Sequence, residues 1–330
     1  GSAATVRPIA IIHLQAQTVK TPTNKSLYIM RHTSYPLVII LLLIVTSAFQ
    51  VSAKPANTRQ ITVEPFNAID VSFDIYIDYT ISAQNSKATL TAPAATFDSV
   101  IIKVVNKVLT VSHKYKPYKT GKRTLRIALY APEVKSITAS KSGKVKVRNN
   151  IDNASTLTLE TSTSGEIITK DIACTKLIAT ATTSGEIETG NIDAGTGSIL
   201  LTTSKSGEIE LKNLNCNNAA LNTSTSSEVE IDQITCKKLS ATSQTASTLS
   251  IEDIKAGNIA ATASTSAEIK LSGKTQNAAL QASLSSTIKG KDLVAEIVTL
   301  NASTSATATV TATKQVSLKQ ARSGKAVYYG

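Results

Sequence analysis

The chain has 330 residues, a formal net charge of +12, 4% aromatic residues and no tryptophan. The aromatic side chains are too few to fill the core of an ordinary globular protein of this length. Many small residues must therefore be buried in regular layers, as in repeat proteins. The charge is local, because residues 103–148 hold thirteen Lys or Arg and a single acid, and it says little about the chain as a whole.

The N-terminal part of the chain has the features of an export signal. Residues 30–53 combine a positively charged start, an apolar run from Leu37 to Val45, and small residues just before Lys54. Cleavage is predicted before Lys54, and export to the periplasm, the outer surface or the medium is expected. The alternative is a membrane anchor, but the apolar run is shorter than the about 20 residues of a spanning helix.

The rest of the chain divides into three segments. Residues 1–29 contain no acid and no periodicity, so we interpret them as an upstream or artificial segment that is expected to be disordered. Residues 54–138 contain runs that alternate between apolar and polar, such as Asp74 to Tyr79, and predict a strand-rich N-terminal region. We expect this region to cap the end of the repeat segment, residues 139–330, whose terminal strand would otherwise be unpaired.

The repeat segment is recognised by a short motif of the form S-G-E-I. Its first clear copy is Ser164 to Ile167, and ten copies recur about 20 residues apart. The residues at the position of the motif glycine are 143, 165, 185, 207, 227, 247, 267, 286, 306 and 324.

Within each copy, apolar residues alternate with polar ones, as at Ile209 and Leu211. Such period-two alternation predicts short strands with one buried face, whereas no copy shows the 3.6-residue stripe of a helical solenoid. Two or three short strands in each copy describe one coil of a parallel β-helix, in which equivalent residues of successive coils stack in columns. The predicted fold class is therefore all-β, with about ten coils of ~20 residues.

Four features in this order resemble a known family of bacterial exported proteins. They are the opening R-x-I-x-V-x-x-F-x-x-I (Arg59 to Ile69), the strand K-V-L-T-V (Lys107 to Val111), the stretch L-R-I-A-L-Y-A-P (Leu125 to Pro132), and the S-G-E-I turns. Together they resemble the "putative auto-transporter adhesin, head GIN domain" family, over roughly residues 60–330. The resemblance implies a right-handed β-helix and a non-enzymatic surface protein with adhesion as its function. After Gly207, Ser or Ala replaces the turn glycine until Gly324, a departure from the family pattern.

One outward column of the predicted β-helix is acidic. Coils stack about 4.8 Å apart, so carboxylates at equivalent positions form a strip. One interpretation is a Ca²⁺-binding strip, since this cation takes several carboxylate oxygens; the other is a solvated face that deters edge-to-edge aggregation. The G-G-x-G-x-D pattern of calcium β-rolls is absent. The candidate calcium strip is Glu186, Glu188, Glu208, Glu210, Glu228 and Glu230.

Another outward column carries hydroxyl and amide groups and is the candidate binding face. Such a lattice could contact glycans, although strands favour β-branched and hydroxyl residues for structural reasons as well. The mixture of residue types argues against ice binding. The candidate residues are Thr180, Thr202, Asn222, Thr242, Thr262 and Asn301.

The three cysteines, Cys174, Cys216 and Cys236, share one coil position, which small residues occupy in other coils. A small buried side chain therefore suits the position, and free cysteine meets that need. Cys216 and Cys236 lie in adjacent predicted coils and are near enough for a disulfide, but in-register stacking points their side chains the same way. Whether they are bridged stays open at this point.

The basic segment interleaves Lys and Arg with Tyr115 and Tyr118. Such a pattern can bind nucleic acid, but an exported protein seldom meets any, so an anionic envelope polymer or a solvated loop is expected instead. Its basic members include Lys114, Lys116, Lys119, Lys122, Arg123 and Arg126.

Catalysis is the alternative function, because some β-helix proteins are polysaccharide lyases or hydrolases with acids in a cleft built from long loops. The coils here are short, and no catalytic, cofactor or metal-ligand motif is recognised. We therefore predict a non-enzymatic protein that contacts a glycan or an anionic envelope polymer and needs no cofactor.

Overall fold

The computed structural model describes residues 58–83, 88–93, 96–114 and 125–330. The predicted signal peptide and the segment before it lie outside these residues. All strands of the described part join one sheet of 22 strands. Within the same residues there is no helix that could cross a membrane.

The strands follow one another along the chain with short connections. The first eleven are β1 (Thr58–Val63), β2 (Ala68–Ser72), β3 (Ile75–Ile81), β4 (Ala88–Pro93), β5 (Val100–Val105), β6 (Val108–His113), β7 (Leu125–Ala131), β8 (Ser136–Ser140), β9 (Lys144–Val147), β10 (Ile151–Ser162) and β11 (Glu166–Ile168). The others are β12 (Ile172–Thr182), β13 (Glu186–Thr189), β14 (Ile192–Asp193), β15 (Ser198–Ser204), β16 (Glu208–Ser224), β17 (Glu228–Gln244), β18 (Thr248–Ser264), β19 (Glu268–Ala282), β20 (Thr287–Ser303), β21 (Thr307–Ala321) and β22 (Lys325–Tyr329).

From β8 to β21, each coil pairs in parallel with the coils on both sides of it, and β22 pairs with β21. Ile231, for example, is the Cα partner of Leu211 on one side and of Ile251 on the other. The chain is therefore a parallel β-solenoid of about ten turns, which confirms the predicted fold class.

The interior consists of stacked columns of aliphatic side chains. Ile209 is fully buried, and so are the residues stacked with it, because strand alternation sends every second side chain inward. This column contains Ile167, Ile187, Ile209, Val229, Leu249, Ile269 and Ile288.

Each repeat turns a corner through two residues in the left-handed region, such as Thr225 (φ 55°) and Ser226 (φ 57°). The residue after these two is glycine in several coils, and there the backbone of the preceding coil leaves no room for a side chain. A Cβ on Gly165, for example, would lie 2.1 Å from the carbonyl oxygen of Ala139. Where serine replaces the glycine, its hydroxyl joins the turn: Ser227 Oγ accepts a hydrogen bond from the backbone N–H of Ser224 at 3.0 Å. The departure from the glycine pattern therefore still leaves a closed turn.

The N-terminal strands do not stack in chain order. The coil of β2 and β3 lies between the coil of β6 and β7 and the coil of β8 and β9, and all three pair in parallel. Strands β4 and β5 pair antiparallel with β7 and β6, and β1 pairs antiparallel with β4, so antiparallel strands occupy the end where we predicted a cap. The predicted boundary between residues 138 and 139 falls inside β8, and strand pairing continues across it.

Candidate functional site

The hydroxyl and amide candidates lie on one outer face of the solenoid, at the ends of β12 and β15–β20. Each is the Cα partner of the next, so the predicted column is present in register. We call this set, which also includes Gln281, the hydroxyl–amide column: Thr180, Thr202, Asn222, Thr242, Thr262, Gln281 and Asn301.

The side chains of this column are accessible. Gln281 is exposed and the other six are half-buried, as expected for outward positions between neighbouring coils. Hydroxyl and amide groups can both donate and accept hydrogen bonds. Among the described residues, no hydrogen bond involves the side chains of the six predicted binding residues, so these groups are available to a partner.

The same face contains an open groove that the sequence analysis missed, beside the hydroxyl–amide column. It has a volume of about 820 Å³ and runs across several coils. Its floor is the outward column Leu200, Ala220, Ser240, Ala260, Ala279 and Thr299. Its rim is the column Lys176, Ser198, Asn218, Lys238, Asn258, Asn277 and Ile297. The signal in the sequence is a run of small or apolar residues at outward positions, two residues before the hydroxyl–amide column.

The acidic strip is also in register, on a different face. Glu186, Glu208 and Glu228 are successive Cα partners, and Glu188, Glu210 and Glu230 form the parallel column beside them. The first column continues to Glu166, whose carboxylate forms an ion pair with Lys144 of the preceding coil. At the end near Glu166, the acidic column is therefore next to the ammonium group of Lys144, whereas Glu186 and Glu208 have a glutamate on each side in this column.

Mutual repulsion in the strip affects its protonation. Partial burial raises the pKa of Glu208 above its ordinary value, and the carboxylates of Glu186 and Glu228 raise it further. The pKa of Glu186 is raised for the same reasons, first by burial and then by Glu166, although Lys144 opposes the shift. Both directions are those expected of carboxylates that are partly buried and lie among like charges.

The calcium interpretation finds no further support in the geometry. In the part of the chain that the structure describes, no group of three or more His, Cys, Asp or Glu side chains is arranged to hold a metal ion. The columns place carboxylates side by side along a flat face, where they do not converge on one point as the ligands of a hard cation do.

The cysteines lie where they were predicted, in one inward column, and all three are buried free thiols. Cys216 and Cys236 are Cα partners in adjacent coils. Burial raises the pKa of Cys216 to about 12 and the pKa of Cys174 and of Cys236 to about 11. Protonated, buried thiols of this kind are inert side chains of the core.

The basic segment is described only at its two sides. Lys114 and Arg126 are placed, whereas the tyrosines and the other basic candidates lie among residues 115–124, outside the described residues. Arg126 lies over the ring of Tyr76, 4.5 Å from its centroid, and its Nε is 3.5 Å from Oδ2 of Asp78. Arg148 forms an ion pair with the same carboxylate. Asp78 therefore neutralises part of the positive charge of Arg126 and Arg148.

A second groove, of about 420 Å³, is lined by Asp152, Asp171 and Asp193 along with amide and apolar residues. Two of these acids already hold neighbouring groups. Asp171 Oδ1 accepts a hydrogen bond from the backbone N–H of Asn191 at 2.8 Å. Asp193 Oδ1 accepts one from the Asn215 side chain at 2.9 Å. The contacts tie adjacent coils together, which is a structural use of both carboxylates.

Comparison with known proteins finds a matching family model. The family model described as "Putative auto-transporter adhesin, head GIN domain" matches residues 65–233 and 219–330. The two matches overlap and together cover most of the chain. No curated protein matches the chain.

Three solved structures are similar to the chain at low sequence identity. A putative adhesin from Parabacteroides merdae is 14% identical, with 83% of this chain and 95% of that chain covered and a TM-score of 0.48. A putative adhesin from Parabacteroides distasonis is 13% identical, with coverage of 82% and 96% and a TM-score of 0.46. A putative lipid binding protein from Parabacteroides distasonis is 17% identical, with coverage of 83% and 96% and a TM-score of 0.42.

Proposed function

Because the chain belongs to the "Putative auto-transporter adhesin, head GIN domain" family, we propose that it is an exported, adhesin-like surface protein that binds a glycan polymer without cleaving it. The observation that carries this proposal is the hydroxyl–amide column. It presents the same kind of group once per coil over seven consecutive coils.

The chemistry of the column suits the hydroxyl groups of a sugar chain. Thr202 and Asn222, for example, are neighbours that offer a hydroxyl and an amide, and each can donate to and accept from a sugar hydroxyl. Adjacent groups are spaced by about 4.8 Å, the distance between strands. A polymer laid along the solenoid axis can therefore be contacted by several coils at once.

The periodic arrangement favours binding over turnover. Catalysis needs groups of different chemistry that converge on one reacting atom, whereas this face repeats one chemistry along a line. Individually weak contacts add up when one long partner engages many of them, since each later contact is intramolecular. We expect weak binding of short oligosaccharides and stronger binding of the same sugar as a polymer.

A glycan array with the mature protein identifies the sugar, and calorimetry compares the polymer with its short oligomers. Replacing Thr202 and Thr242 together by Val keeps the shape of the column but removes two hydroxyls, and we expect weaker polymer binding. Glu210→Gln, on the acidic face, is the matched control and should leave binding unchanged.

Equal binding by the double variant and the native protein would contradict the assignment of this face. Cleavage of any array polysaccharide, abolished by a single substitution of Asp152, Asp171 or Asp193 in the second groove, would support the enzymatic alternative instead.

Export is part of the proposal and is carried by the sequence of residues 30–53. N-terminal sequencing of the protein recovered from the envelope or the medium should begin at Lys54. Recovery of intact protein in the membrane with the apolar run still attached would contradict it.

A further inference from the structure

The groove beside the hydroxyl–amide column has the properties of a ligand site. Its volume of about 820 Å³ lies within the roughly 300–1,000 Å³ of small-molecule sites. Such sites are mainly apolar with a few polar groups at defined places. Here the middle of the floor consists of small side chains, and most rim residues are amides or lysines.

The concavity follows from the sizes of stacked side chains. Ala220, Ser240, Ala260 and Ala279 are successive floor residues, and each ends at its β or γ atom. The neighbouring rim carries longer side chains, and the amides of Asn258 and Asn277 are joined by a hydrogen bond of 2.9 Å. A floor of short residues beside a rim of long ones leaves a trough that runs parallel to the solenoid axis.

The charge of the groove selects the sign of its ligand. Lys176 and Lys238 line it, and no acidic residue does. Lys238 lies in the middle coil and is in the same strand as Ser240, so an ammonium and a hydroxyl group are available to one anionic group. An apolar trough with lysines on its rim and no acid is complementary to a molecule with a negatively charged group and a long apolar chain.

We propose that the groove binds a long-chain carboxylate, with its carboxylate at Lys238 and its chain lying along Ala260 and Ala279 towards Ile297. In this direction the floor has two exposed alanines, and the groove ends at Ile297, which is 44% exposed. The coils from β17 to β20 are three steps apart, so this half of the groove is about 14 Å long. Burial of the chain on Ala260, Ala279 and Ile297 supplies the apolar contribution to binding.

Titration calorimetry with dodecanoate below its micelle concentration tests the proposal. Ala260→Glu places a charge on the groove floor at an exposed position, and we expect the affinity to fall at least about tenfold. The matched control is Gln244→Glu, which adds the same charge at an exposed position at the end of β17, outside the groove lining and the hydroxyl–amide column. It should retain dodecanoate binding, and thermal unfolding checks that both variants fold.

The charge requirement is tested separately. Lys238→Gln should weaken dodecanoate binding, whereas Lys212→Gln, an exposed lysine of β16 outside the groove, should not. Dodecyltrimethylammonium has the same chain with the opposite charge and should bind more weakly than dodecanoate. Equal binding of the two amphiphiles, or equal binding by Ala260→Glu and native protein, would overturn the proposal.

The same variants separate this inference from the proposed function. Ala260→Glu should still bind the glycan polymer, because its side chain is not in the hydroxyl–amide column. Loss of glycan binding by the Thr202 and Thr242 double variant, with dodecanoate binding retained, would show that the two ligands use different columns of one face.

Discussion

The hydroxyl of Ser227 lies 2.9 Å from the hydroxyl of Thr203, in the interior at a corner of the solenoid. Ser227 is 3% exposed and Thr203 is fully buried. Serine stands here in place of the turn glycine, and its oxygen contacts both the buried threonine and the backbone of its own turn. The equivalent threonine of an earlier coil, Thr161, faces a glycine, and its buried Oγ1 has no hydrogen-bond partner in the described residues.

The two threonines therefore predict opposite effects of the same substitution. Thr203→Val breaks a buried hydrogen bond and should lower the free energy of unfolding by about 1 kcal/mol. Thr161→Val removes an unpaired buried hydroxyl at nearly constant volume and should be neutral or stabilising by a similar amount. Urea unfolding of both variants checks this, and equal losses of stability would show that the hydroxyl of Thr161 does have a partner.

The stacking of Glu208 between Glu186 and Glu228 predicts a pH-dependent effect of Glu208→Gln. The pKa of Glu208 is raised in the folded protein above its ordinary value of 4.5, so the carboxylate form is disfavoured by folding. Its unfavourable contribution is present at neutral pH and disappears as pH falls through the folded pKa.

Glu208→Gln should consequently raise the melting temperature at pH 7, by an amount that reflects about 0.5 kcal/mol. Below pH 4.5 the variant and the native protein should melt alike, because both then carry a neutral side chain. Melting curves measured from pH 4 to pH 7 check this. A variant that melts below the native protein at pH 7 would instead mean that the folded protein stabilises the Glu208 carboxylate, as a neighbouring cation does.

The inward register predicts a large effect at Ile209, which is fully buried in the aliphatic column. Ile209→Asp buries a charge without a partner and should destabilise the protein by several kcal/mol, unfolding neighbouring coils with it. Lys212→Asp introduces the same residue at an exposed position of the same strand and should change stability by about 0.5 kcal/mol or less. Circular dichroism on heating measures both, and similar melting temperatures would contradict the assigned register.

The repetition of coils predicts that two of them can be removed. Deleting Gly185 to Ser226 joins Ser184 to Ser227, and because Ser227 is equivalent to Gly185, the inward and outward faces stay in phase. We expect a folded, shorter solenoid with weaker binding of the glycan polymer, since fewer coils contact it. Unchanged polymer binding by a folded deletion variant would place the binding face elsewhere.

The burial of the three cysteines predicts that their thiols react slowly with thiol reagents in the folded protein. Because the pKa of Cys216 is raised to about 12, this group is protonated and unreactive at pH 8. Ellman's reagent should label few thiols in the native protein and all three once it is unfolded without reductant. A shortfall of two thiols after unfolding would reveal a disulfide between Cys216 and Cys236.

Much of the candidate face could be derived from the repeat alone. Thr202, Asn222 and Thr242 are about 20 residues apart, and a solenoid places residues one period apart against each other, so the period itself gives the contacts. The sequence analysis missed the groove because its floor is formed by short side chains, which give no distinctive sequence pattern. Ala220 and Ala260 suit any outward strand position, and they form a trough only because the adjoining column carries longer side chains.

The sequence by itself determined the solenoid, the inward position of residues such as Ile209 and the alignment of Glu186 with Glu208, because strand alternation and a steady period fix both from local information. Only the tertiary structure decided the order of the N-terminal coils. The coil of β2 and β3 lies between two coils that come later in the chain, and its strands lack the repeat motif. The strands that pair with β2 and β3 are far away in the sequence and differ from them in sequence, so no local sequence pattern predicts this pairing.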